Sequence, residues 1–296
     1  MNEQSLIQRI RKHAGKPRYL STGIGDDCAV YQPAAGEQLL FTTDMMIEDV
    51  HFTRATHSAE DVGYKALARG LSDIAAMGGA PRFCLVSLAL PKWANTRWVD
   101  GFYRGLLSWK VGLAGGDLAH AERLMCDIVV GGAVAAGTAL HRDTAKSGDG
   151  IYVSGALGGS ALGLATRKGK AWKKHLRPEP RLKLGQLLRT RHHATACMDL
   201  SDGLSMDLHR LCVASRLSAD LDGELPVFPG ASIEQALHGG EDYELLFTLS
   251  SGLEAPGEIG GIPITRIGVM RRGNAGRMKI SGLELLPLGY DHFRKV

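Results

Sequence analysis

Ser58-Ala59-Glu60-Asp61-Val62-Gly63-Tyr64-Lys65-Ala66-Leu67-Ala68-Arg69-Gly70-Leu71-Ser72-Asp73-Ile74-Ala75-Ala76-Met77-Gly78-Gly79-Ala80-Pro81 reads as one helix with a marked start and a marked stop. Ser58 and Asp61 stand three apart, the spacing at which a hydroxyl and an acid satisfy the free N–H groups of a first helical turn. Val62, Ala66, Leu67, Leu71, Ile74 and Ala75 recur at helical spacing and predict a buried stripe. The Gly78-Gly79 pair, followed by Pro81, ends it. Asp73 is the anomaly of this helix. A carboxylate in the last turns faces the negative end of the helix dipole, an unfavourable placement of roughly 0.3–1 kcal/mol. It also lies between the apolar Leu71 and Ile74, so it invites a cation.

Short apolar runs lie on both sides of this helix. Residues 39–43 read as a buried strand that ends at Asp44, and residues 83–90 as another. Further out, helices are expected over residues 3–12 and 98–109, and a strand-rich stretch over 124–134. Ser147-Gly148-Asp149-Gly150 is a turn cluster that leads into a strand at 151–153. A helix after Gly158-Gly159, a helix over 204–215, and strands at 219–221 and 244–249 complete the second half. Strands and helices mix without a regular βαβ rhythm, which predicts an α+β protein of mixed α/β layers. The boundary near residues 140–148 divides it into two domains, 1–145 and 146–296.

Composition excludes several classes. Of the residues, 44% are hydrophobic, 22% charged and 6% aromatic, a globular mixture. The 38 glycines are about double the usual share, which points to many tight turns and close backbone approaches. No apolar run reaches the ~20 residues that cross a bilayer, and residues 1–7 lack the pattern of a signal peptide. Five scattered cysteines, none in a Cys-x-x-Cys pair, point to a reducing, cytoplasmic setting with neither disulfides nor a zinc ribbon. The net charge of +4 hides an asymmetry: residues 167–191 hold ten bases and one acid. That segment reads either as a solvated helical face or as a nucleic-acid patch, and Trp172 is its single aromatic.

The acidic residues cluster where glycines or strand ends are. Gly23-Ile24-Gly25-Asp26-Asp27, Thr42-Thr43-Asp44, Gly115-Gly116-Asp117, Asp199-Leu200-Ser201-Asp202-Gly203 and Gly239-Gly240-Glu241-Asp242-Tyr243-Glu244 join Asp73 in a chain that is basic overall. Each alone is open to a turn or helix-cap reading. Asp199, Ser201 and Asp202 precede a helix, and a helix N-terminus favours both capping carboxylates and bound phosphate. Hydroxyls and carboxylates are hard oxygen ligands suited to Mg²⁺. Together the clusters predict a metal–polyphosphate site, because carboxylates converge only when divalent ions neutralise them. The chain has no Gly-x-x-x-x-Gly-Lys-Ser/Thr phosphate loop and no Gly-x-Ser-x-Gly elbow.

These motifs, in this order, resemble the signature of the thiamine-monophosphate kinase family. The resemblance includes Val50-His51-Phe52 and the ending Leu288-Gly289-Tyr290-Asp291-His292-Phe293, and so spans nearly the whole chain. The wider superfamily includes aminoimidazole-ribonucleotide synthetase, selenophosphate synthetase and hydrogenase-maturation proteins. The resemblance implies a homodimer formed through N-terminal sheets, with ATP in a groove between the domains of one subunit. It implies transfer of the γ-phosphoryl group of ATP to thiamine monophosphate. Carried onto matching positions, Asp27, Thr42, Thr43, Asp44, Asp73, Asp117, Asp199 and Asp202 would bind several Mg²⁺ ions. Gly116, Asp117, Arg142 and Ser201 would contact ATP, and His51, Glu241 and Tyr290 would meet the thiamine substrate. Asp49 stands where the family pattern often has glycine, two residues before His51. In-line displacement without a general base is the expected chemistry, since a phosphate acceptor is already ionised. Neither nucleic acid nor membrane is an expected partner. The alternatives are another ATP-dependent member of the superfamily, acting on an amide or carbonyl oxygen, and a non-catalytic nucleic-acid-binding protein.

Overall fold

A computed structural model describes residues 3–15, 20–24 and 28–290 of the chain. It divides into two compact units: Met1–Ile74 with Gly79–Gly137, and Ala75–Gly78 with Thr138–Val296. The architecture is α+β in both, as the mixture of periodicities predicts.

The first unit is built around the quoted helix. Its elements are α1 (Glu3–Ala14), β1 (Leu20–Thr22), β2 (Val30–Tyr31), β3 (Glu37–Ile47), α2 (Ala59–Ala76), β4 (Ala80–Leu90), α3 (Thr96–Leu107), β5 (Gly112–His120) and β6 (Met125–Ala135). The cap at Ser58 forms as expected, with the Asp61 N–H donating to Ser58 Oγ at 3.2 Å and the Ser58 hydroxyl to Asp61 Oδ2 at 2.6 Å. The stripe Val62, Ala66, Leu67, Leu71 and Ile74 is buried, each large side chain contributing on the order of 1.5–3 kcal/mol. α2 and α3 cross at glycine: a β-carbon on Gly63 would overlap the Phe102 carbonyl oxygen.

The sheet of this unit has the order β3-β6-β4-β5, parallel between β4 and β5 and antiparallel elsewhere. β3 pairs with β6 along its whole length, so it runs through Asp44 to Ile47 instead of ending there. Strand β5 has too little apolar alternation to be read from sequence. Its glycine at 116 is required by packing, since a β-carbon there would overlap the Val86 carbonyl oxygen. The shorter β1 and β2 pair as a separate ribbon.

The second unit contains β7 (Gly150–Ser154), α4 (Gly159–Thr166), α5 (Gly169–Leu176), α6 (Leu182–Leu187), β8 (Ala196–Asp199), α7 (Leu204–Ser215) and β9 (Ser218–Leu221). Then follow α8 (Ile233–His238), β10 (Leu245–Leu249), β11 (Glu258–Ile259), β12 (Ile262–Arg271), β13 (Met278–Ile280) and β14 (Leu283–Glu284). A π-helical turn, Leu188–His192, extends α6. The strands order as β14-β13-β9-β12-β7-β10-β8, with β11 on β12. Ile151, Val153, Met198 and Leu246 enter one core with Leu204, Leu208 and Leu211 of α7. Their alternates Tyr152, Cys197, Leu245 and Phe247 enter a second core with Leu184 and Leu188. Both faces of these central strands are covered, which is why they read as continuous apolar runs.

Candidate active site

In the first unit the acids gather against α2. The pleat of β3 turns Thr42 and Asp44 to the face that carries α2 and turns Thr43 to the other face. The Thr42 hydroxyl donates to Asp73 Oδ2, and Arg69 Nη2 donates to Asp44 Oδ1 at 3.0 Å. Arg69 Nη1 also donates to the Met45 carbonyl at 3.0 Å, so α2 grips β3 at this point. Burial lifts the Asp44 carboxyl to about 6, with Asp73 and Asp127 adding to the rise and Arg69 opposing it. On the opposite face the Thr43 hydroxyl donates to Asp127 Oδ1 at 2.9 Å. Asp127 was missed in the sequence; its signal is a single carboxylate inside the otherwise apolar β6.

Asp117 and Gly116 stand on β5, at the sheet edge opposite β3. Asp117 Oδ1 accepts the Leu118 N–H at 2.9 Å. His51 follows β3, and its Nδ1 accepts the Ile47 N–H at 3.1 Å, which puts the ring proton of the neutral imidazole on Nε2. Asp49 has φ +65°, a left-handed conformation that glycine adopts freely and Asp tolerates. This explains the residue at the position where the family pattern often has glycine. Asp27 lies outside the described residues.

In the second unit the two Gly-rich acidic motifs are joined to each other. The Glu241 N–H donates to the Ser201 carbonyl at 2.7 Å, the Tyr243 N–H to the Leu200 carbonyl at 2.9 Å, and the Leu200 N–H to the Glu244 carbonyl at 2.8 Å. Asp199 ends β8 and is buried. The N-cap of α7 is Gly203, which has no side chain to cap it. The Asp202 carboxylate accepts from Arg210 Nη1 at 2.5 Å, and its carbonyl accepts the Tyr290 N–H at 2.9 Å. Arg210 also meets the buried Asp207, whose carboxyl burial lifts to about 7. Arg142 is exposed, and its carbonyl accepts the Ser215 hydroxyl at 3.0 Å.

The last acidic motif does two structural tasks that sequence reading missed. Asp242 accepts the N–H groups of Gly158 at 2.6 Å and Ser160 at 3.1 Å, and so caps the start of α4 from outside. Buried Glu244 receives Lys174 Nζ at 2.9 Å, Arg181 Nη2 at 2.6 Å and the Ser154 hydroxyl at 2.7 Å. The segment 167–191 is therefore not wholly a solvated face. Lys174 and Arg181 turn inward to Glu244, and Arg189 donates to the Gly78 carbonyl at 2.9 Å.

The donor set of the first unit fits a hard divalent ion. Among the described residues no three His, Cys, Asp or Glu side chains gather closely enough to hold a metal by themselves. Mg²⁺ does not require that: it typically takes one or two carboxylates and completes its shell with water and substrate phosphates. Asp44 and Asp73 with the Thr42 hydroxyl supply such a set. Burial is the main cause of the rise at Asp44, and Asp73 and Asp127 add to it against Arg69.

Two family descriptions match the chain, AIR synthase related protein, N-terminal domain, over residues 25–136, and its C-terminal domain over residues 146–256. The chain is thus a two-domain protein of the AIR synthase related class. Among its relatives is the thiamine-monophosphate kinase of Bacillus subtilis (strain 168), 35% identical over 99% of this chain and 100% of that one. The crystal structure of thiamine-monophosphate kinase from Stenotrophomonas maltophilia K279a superposes with a TM-score of 0.83, at 35% identity, over 96% of this chain and 98% of the other. AaThiL complexed with AMPPCP and TMP superposes with a TM-score of 0.78, at 31% identity, over 98% of this chain and 97% of the other. The chain belongs to the thiamine-monophosphate kinase family, and it is a phosphotransferase.

Proposed function

We propose that this chain transfers the γ-phosphoryl group of ATP to thiamine monophosphate, by direct in-line displacement and with several Mg²⁺ ions. The observation that carries the reading is the Thr42–Asp44–Asp73 corner, where a hydroxyl and two carboxylates meet on one face of the sheet as a hard-oxygen set. The bound AMPPCP and TMP of the 31%-identical relative support ATP as co-substrate and thiamine monophosphate as acceptor.

Asp44, Asp73 and Thr42 would hold magnesium, with Asp27, Thr43, Asp117, Asp199 and Asp202 as further proposed ligands. When bound, such ions offset the repulsion between two phosphorylated substrates and the charge that develops in transfer. The acceptor phosphate is ionised at neutral pH, so we assign no general base. What the protein itself supplies is alignment. Arg69 holds Asp44 in place, and Gly116 lets β5 lie against the Val86 carbonyl of β4, with Gly116 and Asp117 as proposed ATP contacts. Arg142 and Ser201 are the other proposed ATP contacts. His51, with its Nε2 proton, Glu241 and Tyr290 are the proposed contacts to the thiamine moiety.

We assign metal and ATP binding and dimerisation to residues 1–145, and the remaining ATP and substrate contacts to residues 146–296. A homodimer fits the outward face of the first sheet, where Phe41, Met45 and Met125 are exposed together. Four of the five cysteines are buried and none is disulfide-bonded, which supports a cytoplasmic enzyme. No helix among the described residues is long and apolar enough to cross a membrane.

The test is ADP release by the purified protein with Mg-ATP, with thiamine monophosphate and aminoimidazole precursors offered side by side. Release that depends on thiamine monophosphate is expected. Release with an aminoimidazole precursor alone would transfer the chain to another branch of the superfamily.

A further inference from the structure

Behind Glu241 stands a group of side chains joined to one another by hydrogen bonds and ring stacking. Glu241 and Tyr243 are both left-handed, at φ +64° and +50°, although neither is glycine. Asp242 between them accepts the N–H groups of Gly158 and Ser160. The Ser160 hydroxyl in turn meets His175 Nδ1 at 2.9 Å. That same Nδ1 lies 3.4 Å from Glu241 Oε2. His175 is 2% exposed, and the Trp172 ring stacks on it with centroids 5.1 Å apart and planes 14° from parallel. Ser160 is thus engaged at both ends, by Asp242 through its N–H and by His175 through its hydroxyl.

We propose that His175 is the positioning residue of Glu241, and that Ser160 and Trp172 fix His175 so that Glu241 presents one carboxylate geometry to the acceptor substrate. This rests on the reading of Glu241 as a contact to thiamine monophosphate. A loop with only a structural task is better served by glycine at position 241, where φ is positive. An apolar side chain at position 175 would avoid the desolvation of a buried imidazole beside a carboxylate. The ring closed through Asp242, Ser160 and His175 stiffens the two rotatable groups on which Glu241 depends, and binding to a pre-ordered group loses less entropy than binding to a mobile one. The effect therefore falls on the acceptor and not on ATP.

The test compares Michaelis constants for the two substrates in variants of the full chain. His175→Leu is expected to raise KM for thiamine monophosphate by about 10-fold or more, the scale of one lost hydrogen bond to a charged group. KM for ATP and the melting temperature stay close to wild type. His175→Asn, which keeps a polar group near the Nδ1 position, restores most of the loss. In a Glu241→Ala background, His175→Leu adds less than about 2-fold, because a residue that acts through Glu241 has nothing left to orient. Additive effects in that background, or equal changes in both KM values, overturn the positioning role. If His175→Leu does not fold, Ser160→Ala and Trp172→Leu carry the same comparison, and an unchanged acceptor KM in both overturns it equally. Wild-type turnover separates the two levels. Its absence with thiamine monophosphate overturns the substrate reading, whereas normal wild-type turnover with an unshifted variant KM overturns the role of His175 alone.

Discussion

Arg69 Nη2 lies 3.0 Å from Asp44 Oδ1, and Arg69 stands one helical turn before Asp73 on α2. One guanidinium thus faces a corner shared by two carboxylates. Its charge opposes the rise of the Asp44 carboxyl, which burial and the acidic neighbours nevertheless lift to about 6.

Asp44→Asn tests that corner. The variant keeps the shape of the side chain and loses its charge, so folding survives and the melting temperature changes little. Turnover falls by about 100-fold or more, the scale of several kcal/mol of lost charge stabilisation. Near-normal turnover at saturating Mg²⁺ would remove Asp44 from the metal set.

Asp242 gives stability a pH dependence of definite sign. Burial lifts its carboxyl from 3.8 to about 6, although Lys174 and the two capping N–H groups pull the other way. The folded state then holds a proton that the unfolded state releases, so the contribution is fully present below pH ~4 and is lost as pH rises through ~6, on the order of 3 kcal/mol. Asp242→Asn cannot titrate. Its melting temperature between pH 4 and 7 should fall less steeply than that of the wild type, and parallel profiles would contradict the assignment.

Arg181→Met leaves buried Glu244 with Lys174 and the Ser154 hydroxyl. Burial alone would raise the Glu244 carboxyl, yet Arg181 and Lys174 hold it below the usual range. Removing one cation from a buried ion pair costs about 3–5 kcal/mol, and the lower end is expected because Lys174 remains. The readout is a lower denaturant midpoint at unchanged slope.

Gly63→Ala puts two effects in opposition. Helix propensity favours alanine over glycine by about 1 kcal/mol. The new methyl, however, would overlap the Phe102 carbonyl where α2 meets α3. Overpacking costs typically 1–3 kcal/mol, and a backbone atom cannot move aside as a side chain can. Net destabilisation is expected, whereas a rise in melting temperature would mean that the helices cross elsewhere.

Phe41→Lys tests the proposed dimer face. Phe41 is 64% exposed on β3, beside Met45 on the same face. A charge there should shift the protein to monomer in sedimentation at micromolar concentration, because the centre of a stable interface tolerates unpaired charge poorly. An unchanged dimer would place the interface on another surface.

Much of this was legible before any coordinates. The Ser58 cap, the α2 stripe and the Gly78-Gly79 stop depend on residues within a few positions of one another, and they appear as written. Strand β5 was not legible, because Gly116 answers to Val86 on β4, a neighbour thirty residues away in sequence. In the sequence, Thr42, Thr43 and Asp44 form one group at a predicted strand end. The strand continues to Ile47, and its pleat sends Thr43 to Asp127 on the opposite face. The basic segment looked solvated because charge counts do not reveal which long side chains turn inward to Glu244.

Sequence alone determined the α+β class, the positions of the acidic motifs and the anomaly of Asp73 on its helix, since caps, stripes and glycine stops are local in the chain. Only the tertiary structure decided which partner each acid took. Asp44 met Arg69, Asp202 met Arg210, Asp242 became the cap of α4, and Glu241 came to lie against His175. Those pairings join residues between 8 and 84 positions apart. They follow from which strands pair and which helices cover them, and short-range periodicity carries no record of that.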